Sequence, residues 1–486
     1  MMNDKKGPIE SSYLMAAKKI GKNLRIKKME ENEDDEEEEI VTVTQLTQLL
    51  DVTGAWKVYP LFITTSMSLL WSLCAFSAIS PAFTAQNTPD SNFYTIQKEF
   101  NLTTNSIIDP AEYVTSVYFL GNLLIGQFFA TLADRYGRRP VIIGALCVSG
   151  IAGAIGSMVP TFPLLLLTRF IQGSCYTPLT TVNYVLSNES IPNRCQSISS
   201  IFFGFFWVIG YCLLAPLSTW FPTWRDLQFA TSSPCIFVAI IFVLILPESI
   251  TYSVDRNNRG EVETWIRRNE MLSCQRIPAD IDQILETDKS AEASDKLEIL
   301  QILRMIQNDT VIIRKVTVET FLWILTFMTY CALSLTSTIV GKSDARVSFL
   351  FSGVVELPAY LFIPIVLKWA PRRPVRFICH TVGAISLAIL YFISEESDFH
   401  LPVWLCAKLC AACCYIFCFI YANELFPTYC RSCLIGVCST FCNLGAIVAP
   451  HVMTMDQAFT NSQFLLLSAT GIISALLSLA QPETKA

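Results

Sequence analysis

Charged residues are scarce in this chain: they make up 16% of its 486 residues, whereas 52% are hydrophobic. In soluble globular proteins, roughly a quarter of the residues are charged. The hydrophobic residues also cluster in blocks long enough to cross a bilayer, which takes about 20 residues in a helix. The composition therefore excludes an ordinary soluble domain and predicts a protein that crosses a membrane several times.

Histidine is scarcer still, and His380, His400 and His451 are far apart in the sequence. They have no metal-ligand spacing, and the chain has no glycine-rich phosphate-binding loop. We therefore expect neither an enzyme nor an ATP-driven pump, and no metal, cofactor or nucleic-acid partner. The 18 cysteines lie mostly inside hydrophobic blocks, where we expect them to pack as small hydrophobic residues rather than to form a disulfide scaffold.

The chain also has no apolar signal segment at its start. More than fifty mostly polar residues come first, with a basic stretch over 18–28 and an acidic run over 33–39. Such blocks of charge predict a disordered, solvated tail. The basic stretch could also contact anionic lipid.

Twelve hydrophobic segments follow, and a helical interpretation suits all of them. Only helices and closed barrels satisfy their backbone hydrogen bonds in lipid, and these segments lack the alternation of barrel strands. The segments, numbered here as spans one to twelve, lie near 58–79, 112–133, 141–159, 162–187, 197–219, 228–246, 320–340, 347–367, 376–393, 402–422, 434–454 and 463–480. We therefore predict an all-α membrane protein with twelve transmembrane helices.

Basic residues are concentrated on one side of the predicted membrane. The N-terminal tail, the segment between spans six and seven, and the loops that contain Arg138, Arg372 and Arg431 share this side. The positive-inside rule therefore places both termini in the cytoplasm, and the sequon at Asn101 falls in an outside loop where glycosylation is possible. The predicted division of the chain is a tail at 1–55, a six-helix bundle at 56–246, a cytoplasmic loop at 247–315, a second six-helix bundle at 316–481 and a tail at 482–486.

Three short motifs of the first half recur in the same order in the second half. With offsets of 234, 235 and 235 residues, the recurring pairs are Arg138-Arg139-Pro140 with Arg372-Arg373-Pro374, Asn188-Glu189 with Asn423-Glu424, and Pro247-Glu248-Ser249 with Pro482-Glu483-Thr484. An offset of six spans predicts parallel repeats related by an axis along the membrane normal. Transporters built in this way commonly bind their substrate near the midplane, between the repeats.

The loop between spans two and three carries a motif that resembles the signature of the major facilitator superfamily. It reads Gly126-x-x-x-Ala130-x-Leu132-Ala133-Asp134-Arg135-x-Gly137-Arg138-Arg139. Other motifs resemble the organic cation, anion and carnitine transporter family, solute carrier family 22. They are Leu246-Pro247-Glu248-Ser249, Val355-Glu356-Leu357-Pro358, Glu424-Leu425-Phe426-Pro427-Thr428 and Gly436-Val437-Cys438-Ser439-Thr440. The resemblance runs from about residue 56 to the end and implies the major facilitator fold, with transport by alternating access.

The chain departs from this family in two places. Family members usually carry a large, cysteine-bearing first outside loop, whereas the segment 80–111 is short and contains no cysteine. The signature of the second half is reduced to Trp369-Ala370-Pro371-Arg372-Arg373 and lacks the glycine. Family properties that depend on the large loop are therefore not carried over to this chain.

Charged residues cluster at the predicted cytoplasmic ends of the spans, and the resemblance implies that they pair across helices in the outward-open state. A latch of this kind must form and break during alternating access. The alternative is that the charges only fix the topology, although acidic residues are not needed for that purpose. The residues are Asp134, Arg135, Arg138, Arg139, Glu189, Arg194, Glu248, Arg372, Arg373, Glu424 and Arg431.

Three ionisable residues fall well inside the predicted spans, namely Arg169, Glu356 and Lys408. Such groups are costly in lipid and normally face a cavity or each other. Arg169 belongs to a stretch that resembles a superfamily motif of span four, which implies a conformational role. Glu356 is the candidate for contacting a cationic group of the solute. Alternatively, it forms a structural ion pair with Lys408 or a hydrogen bond that locks two helices together.

Two further residues bear on the substrate. Tyr330 follows Trp323 by seven residues on span seven, as a cavity tyrosine does in the cation transporters that this chain resembles. Its ring could hold an organic cation by cation–π attraction or simply pack between helices. Asn443 stands at a position that resembles one that is acidic in the family's cation carriers and basic in its anion carriers. Its neutral amide carries neither marker of substrate charge.

The sequence therefore predicts a multi-pass carrier of small organic solutes in the plasma membrane. Glu356 favours organic cations or zwitterions, whereas Lys408 and Arg169 leave organic anions open. A receptor or scaffold that uses the same fold without transport is the other alternative. The solute and membrane lipid are the expected partners. Uniport, exchange and coupling to protons or sodium all stay open as the driving force. Span one has no carboxylate, so it offers no obvious proton or sodium site.

Overall fold

The structure is a computed structural model that describes the chain from residue 45 to residue 484, with gaps. The residues outside this description are 1–44, 55–56, 86–92, 103–108, 193–194, 274–276, 278–279, 287–308, 341–343, 395, 428–429, 455–460 and 485–486. Within the described residues the chain is helical and forms no strand, and one isolated bridge joins Tyr94 to Thr223. The prediction of an all-α protein is therefore confirmed.

Eleven helices of the described part are long and apolar enough to cross a membrane. They are Val58–Thr84, Pro110–Tyr136, Arg138–Gly156, Ser199–Trp220, Trp224–Ile245, Thr310–Thr338, Ala345–Trp369, Arg372–Phe392, His400–Leu425, Arg431–Val452 and Ser462–Leu479. Span four is helical but interrupted: Phe162–Ser174 leads through the π-helical turn Pro178–Val182 into Asn183–Asn188. The interruption coincides with Pro178, which has no N–H group to donate within a regular helix.

Polar side chains cap the first turns of several spans. Thr223 accepts a hydrogen bond from the N–H group of Asp226 at the start of span six. Asp309 accepts hydrogen bonds from two N–H groups in the first turn of span seven. These N–H groups have no partner within their own helix, so the caps stabilise the helix starts. Span seven accordingly begins at Thr310, well before the predicted hydrophobic segment.

Two glycines are required by the backbone around span two. Gly137 joins spans two and three with a φ of 106°, a conformation that residues with a side chain rarely adopt. Gly173 allows span four to approach span two, because a Cβ atom there would lie 1.8 Å from the carbonyl oxygen of Tyr118. Small residues commonly allow such close helix contacts in membrane proteins.

The spans pack mainly within each half of the chain. Span one packs on span five, span two on span four, and span three on span six. In the second half, span nine packs on spans ten and twelve, and span seven on span eleven. The halves meet where span two contacts span eleven and where span five contacts span eight. A site along this junction therefore draws residues from both halves.

The described part of the segment between spans six and seven includes the helices Ile250–Asp255 and Arg259–Ser273 and a short helix at 281–286. The second helix packs against the start of span one, where the ring centroids of Trp265 and Tyr59 are 5.4 Å apart. Asn269 of the same helix donates a hydrogen bond of 3.2 Å to the hydroxyl of Thr53. This segment is therefore tied to the membrane-spanning bundle. We call the end of the bundle that carries this segment, Arg138 and Arg372 the basic end.

Candidate functional site

A buried ion pair lies in the second half of the bundle. Glu356 of span eight and Lys408 of span ten are both fully buried, and 2.8 Å separates Oε1 from Nζ. The other carboxylate oxygen accepts a hydrogen bond of 3.0 Å from the hydroxyl of Tyr330. Lys408 also donates a hydrogen bond to the hydroxyl of Ser334. The structure thus pairs Glu356 with Lys408, which the sequence analysis offered as one alternative for Glu356, and brings Tyr330 to the same carboxylate.

Aromatic rings surround this pair on the side that faces the first half. The Lys408 ammonium lies 4.0 Å from the ring centroid of Tyr330. Tyr330 stacks on Tyr415 at a centroid distance of 5.3 Å, and Phe327 stacks on Tyr415 at 5.0 Å. From the first half, Trp207 donates a hydrogen bond of 3.0 Å to the hydroxyl of Tyr330. The cluster therefore lies at the junction of the two halves.

In this cluster the opposite charges of Glu356 and Lys408 compensate each other. An isolated charge in a low-dielectric interior is costly, and an opposite charge at contact distance offsets that cost. Here Glu356 and Lys408 offset each other, while the hydroxyl of Tyr330 supplies a further hydrogen bond to the carboxylate. In this conformation the pair is neutral as a whole, and the cation–π partner of Tyr330 is the chain's own lysine.

Asn443 of span eleven forms a hydrogen bond across the two halves. Asn122 of span two donates its amide to the Asn443 side-chain oxygen at 2.9 Å. The Asn122 oxygen in turn accepts hydrogen bonds from the N–H group and the hydroxyl of Thr177, at 3.1 and 2.7 Å. Asn443 is thus placed at the junction of the halves. Sequence reasoning missed Asn122, although an amide inside an apolar span is a signal that could have identified it.

Arg169 of span four is almost fully buried within the first half. Its guanidinium donates hydrogen bonds to the side chain of Gln172 at 2.9 Å and to the carbonyl of Ser77 at 3.0 Å. It also lies 5.0 Å from the ring centroid of Tyr118. These contacts join spans one, two and four, so Arg169 holds helices of one half together and is not brought near Glu356.

The predicted latch residues of the first half form one cluster at the basic end. Arg138 pairs with Glu189 at 3.1 Å and more distantly with Asp134 at 3.6 Å. The Glu248 carboxylate accepts hydrogen bonds from the N–H groups of Arg138 and Arg139, at 2.9 and 3.2 Å. Burial raises the pKa of Glu189 and of Glu248, and the hydrogen bonds to each carboxylate act in the opposite direction.

The second half repeats this cluster with equivalent residues. Arg372 pairs with Glu424 at 2.8 Å. Glu483 accepts hydrogen bonds from the N–H groups of Arg372 and Arg373, at 2.8 and 3.0 Å. The hydroxyl of Thr484 donates to Glu424 at 2.6 Å, as Ser249 donates to Glu189 at 2.5 Å in the first half. The motifs that recur in the sequence therefore make the same contacts in both halves.

The remaining predicted residues make simpler contacts or lie outside the described part. The carbonyl of Arg135 accepts a hydrogen bond of 3.1 Å from the hydroxyl of Tyr252. Arg431 donates one of 3.3 Å to the carbonyl of Phe426. Asn101 is exposed in the loop between spans one and two. Arg194 and the N-terminal charge blocks lie outside the described residues.

A second buried ion pair was missed by the sequence analysis. Arg376 of span nine and Glu319 of span seven are buried and make two contacts, of 2.8 and 3.0 Å. The indole of Trp323 donates to Glu319 at 3.1 Å, and Tyr421 lies under Arg376 with 5.0 Å to the ring centroid. Both charges fell at the edges of the predicted hydrophobic segments. Extending span seven back to the cap at Asp309 would have placed Glu319 inside it.

Helical spans in two repeated halves, with charged residues buried between the helices, are typical of membrane carriers of small solutes. The sequence profile described as Major Facilitator Superfamily matches residues 61–450. The chain therefore belongs to the Major Facilitator Superfamily.

Relatives from animals resemble the chain over most of its length. A Caenorhabditis elegans protein named as a transporter is 29% identical, covering 86% of this chain and 84% of its own. Solute carrier family 22 member 2 of Rattus norvegicus is 26% identical over 82% of this chain and 70% of its own. The organic cation transporter protein of Drosophila melanogaster is 25% identical over 76% and 68%. The resemblance to solute carrier family 22 is thus confirmed.

Solved structures confirm the fold. The xylose transporter XylE from E. coli, in a partially occluded inward open conformation, superposes with a TM-score of 0.64. It is 14% identical and the match covers 88% of this chain and 98% of XylE. At this identity the match shows the shared fold, which is the major facilitator arrangement expected from the sequence.

Proposed function

We propose that this protein carries small organic cations or zwitterions across the plasma membrane by alternating access. The observation that carries the proposal is the buried carboxylate of Glu356 at the junction of the halves, next to the rings of Tyr330 and Tyr415. A carboxylate together with aromatic faces is the chemistry that binds organic ammonium groups. The Drosophila relative named as an organic cation transporter supports the same substrate class.

Lys408 sets a condition on the solute. In this conformation it occupies the carboxylate of Glu356 at 2.8 Å. A cationic group that binds Glu356 must therefore compete with Lys408, and the displaced ammonium needs a new partner because buried charges are costly unless compensated. A zwitterion supplies both an ammonium and an anionic group, so it keeps the site neutral. This argument favours zwitterions among the candidate solutes.

The proposal includes the orientation of the protein. The basic end, which holds Arg138 and Arg372 and the segment between spans six and seven, faces the cytoplasm by the positive-inside rule. The opposite end is then the outer end. Hydrogen bonds across the halves lie at the outer end and in the middle, as Thr338 to Ala82 and Asn122 to Asn443 illustrate. Closure at the outer end corresponds to an inward-facing conformation.

Uptake into cells or sealed vesicles tests the substrate class. We expect saturable uptake of tetraethylammonium or carnitine, and much less uptake of benzoate. The double variant Glu356→Gln with Lys408→Gln removes both charges without leaving one unpaired, and it should lose uptake while it still reaches the membrane. Glu263→Gln, at an exposed carboxylate that pairs with Arg259, is the matched control and should transport like the parent. Full uptake by the double variant would contradict the role of Glu356.

A carrier for organic anions is the second candidate, and Lys408 is the observation that favours it. If a solute carboxylate replaced Glu356 as the partner of Lys408, the same pair would select anions. Saturable uptake of benzoate with no uptake of the two ammonium compounds would establish this alternative. The absence of uptake of all three compounds would favour a receptor or scaffold.

A further inference from the structure

His451 contacts the opposite half of the bundle near the end of span eleven. Its Nε2 atom lies 2.9 Å from the hydroxyl of Ser116 on span two. That hydroxyl donates its only hydrogen to the carbonyl of Ile447 at 2.7 Å. Because the hydroxyl hydrogen is engaged, the short contact requires Nε2 to carry a hydrogen and donate it to Ser116. Spans two and eleven are therefore joined by two linked hydrogen bonds.

The surroundings of His451 also come from the first half. The ring of Tyr113 meets the imidazole edge-on, with 5.5 Å between the centroids. Ser116 is buried and His451 is half-buried. His451 of the second half thus contacts Tyr113 and Ser116 at the start of span two.

This contact depends on closure of the outer end. Other links between the halves lie at the same end: Tyr211 shares a hydrogen bond of 2.9 Å with Ser352, and Thr338 donates one of 3.0 Å to the carbonyl of Ala82. Where the structure describes the basic end, its ion pairs instead join residues of the same half, such as Arg138 with Glu189. Rotation of the halves that opens the outer end would separate span two from span eleven, while the pairs of the basic end could persist.

We propose that His451 is a positioning residue that, through Ser116, holds the outer end closed and so favours the inward-facing conformation. We call the two residues the outer clasp. The proposal rests on alternating access as described under the proposed function. A contact present in only one of two conformations shifts their populations by its own contribution, whatever the solute. Loss of the clasp should therefore open the outer end and close the basic end.

Hydrogen–deuterium exchange of the purified full chain in lipid nanodiscs, without solute, tests the clasp. In His451→Ala, which loses one hydrogen bond, we expect amide exchange to become about two- to fivefold faster in peptides covering the outer ends of spans two and eleven. Ser116→Ala loses both hydrogen bonds, and its effect on exchange should be at least as large. Peptides at the basic end should exchange more slowly by a similar factor. The double variant should behave like Ser116→Ala, because that substitution alone already removes both hydrogen bonds. His451→Ala leaves the bond from Ser116 to the carbonyl of Ile447.

Two further variants separate positioning from simple loss of packing. Ser116→Thr keeps the hydroxyl and should show the same exchange pattern as the parent. Ser468→Ala removes a hydrogen bond of 2.9 Å to the carbonyl of Ala384 within the second half, and it should change exchange only locally. Faster exchange at both ends, or no change at the basic end, would overturn the clasp. An opposite shift at the two ends in a protein without uptake would support the clasp and contradict the proposed function instead.

Discussion

Asn122 donates a hydrogen bond to Asn443 across the junction of the two halves, 321 residues apart in the sequence. The Asn443 amide in turn donates to the carbonyls of Ser439 and Thr440 on its own helix, at 3.1 and 2.9 Å. Neutral amides satisfy each other here without a buried charge. The position that resembles a marker of substrate charge in related carriers is therefore a bridge between the halves in this protein.

Charge at position 443 should change the selectivity of the carrier. Asn443→Asp adds a carboxylate that still accepts the hydrogen bond of Asn122, so we expect uptake of tetraethylammonium to rise relative to carnitine. Asn443→Arg places a cation at the junction and should lower uptake of tetraethylammonium while raising that of benzoate. Competition uptake with the three compounds measures the change. Unchanged preference in both variants would show that Asn443 only bridges the halves.

Removing one partner of the central ion pair should destabilise the protein. Glu356→Gln leaves Lys408 buried without its partner, and breaking a buried pair in this way typically costs about 3–5 kcal/mol. We expect a lower thermal unfolding midpoint in detergent for Glu356→Gln, with partial recovery in the double variant that also carries Lys408→Gln. If the single variant were as stable as the parent, the pair would not compensate its charges as the geometry indicates.

Two of the predicted latch residues of the first half, Asp134 and Arg138, should differ in effect. The side chain of Asp134 is 76% exposed and that of Arg138 is 12% exposed, and exposed ion pairs contribute little. Arg138→Ala removes the pairing with Glu189, so we expect it to reduce maximal transport severalfold with a small change in half-saturation. Asp134→Asn should have a weaker effect in the same direction. Normal maximal transport together with greatly weakened solute binding in Arg138→Ala would contradict a role in the conformational change.

The proposed orientation can be tested by glycosylation. Asn101 is exposed in the loop between spans one and two, at the proposed outer end. In a glycosylating host, Asn101→Gln should remove a glycan-dependent shift in electrophoretic mobility. The sequons at Asn188 and Asn308 lie on the proposed cytoplasmic side and should stay unmodified, so their variants serve as controls. A glycan at either of these sites would contradict the proposed orientation and support the opposite one.

Hydrophobic length was sufficient to predict the helical spans. A helix that satisfies its own backbone in lipid needs only a long apolar segment, which can be recognised locally. The recurrence of Arg138-Arg139 as Arg372-Arg373 also predicted equivalent positions in the two halves. The structure gives both arginine pairs the same carboxylate contacts, with Glu248 and Glu483.

Tertiary structure alone decided which buried polar residues meet. Sequence reasoning left Glu356 with two possible roles, and it missed both the partner of Asn443 and the pair of Glu319 with Arg376. Hydropathy gives the length of a span but not its rotation about its own axis, which is set by packing against neighbouring helices. A rotation by one residue, about 100° of the helix, would turn Glu356 away from Lys408. The sequence by itself therefore determined the fold and the recurrence of the charged motifs, and helix packing decided which buried polar residues meet.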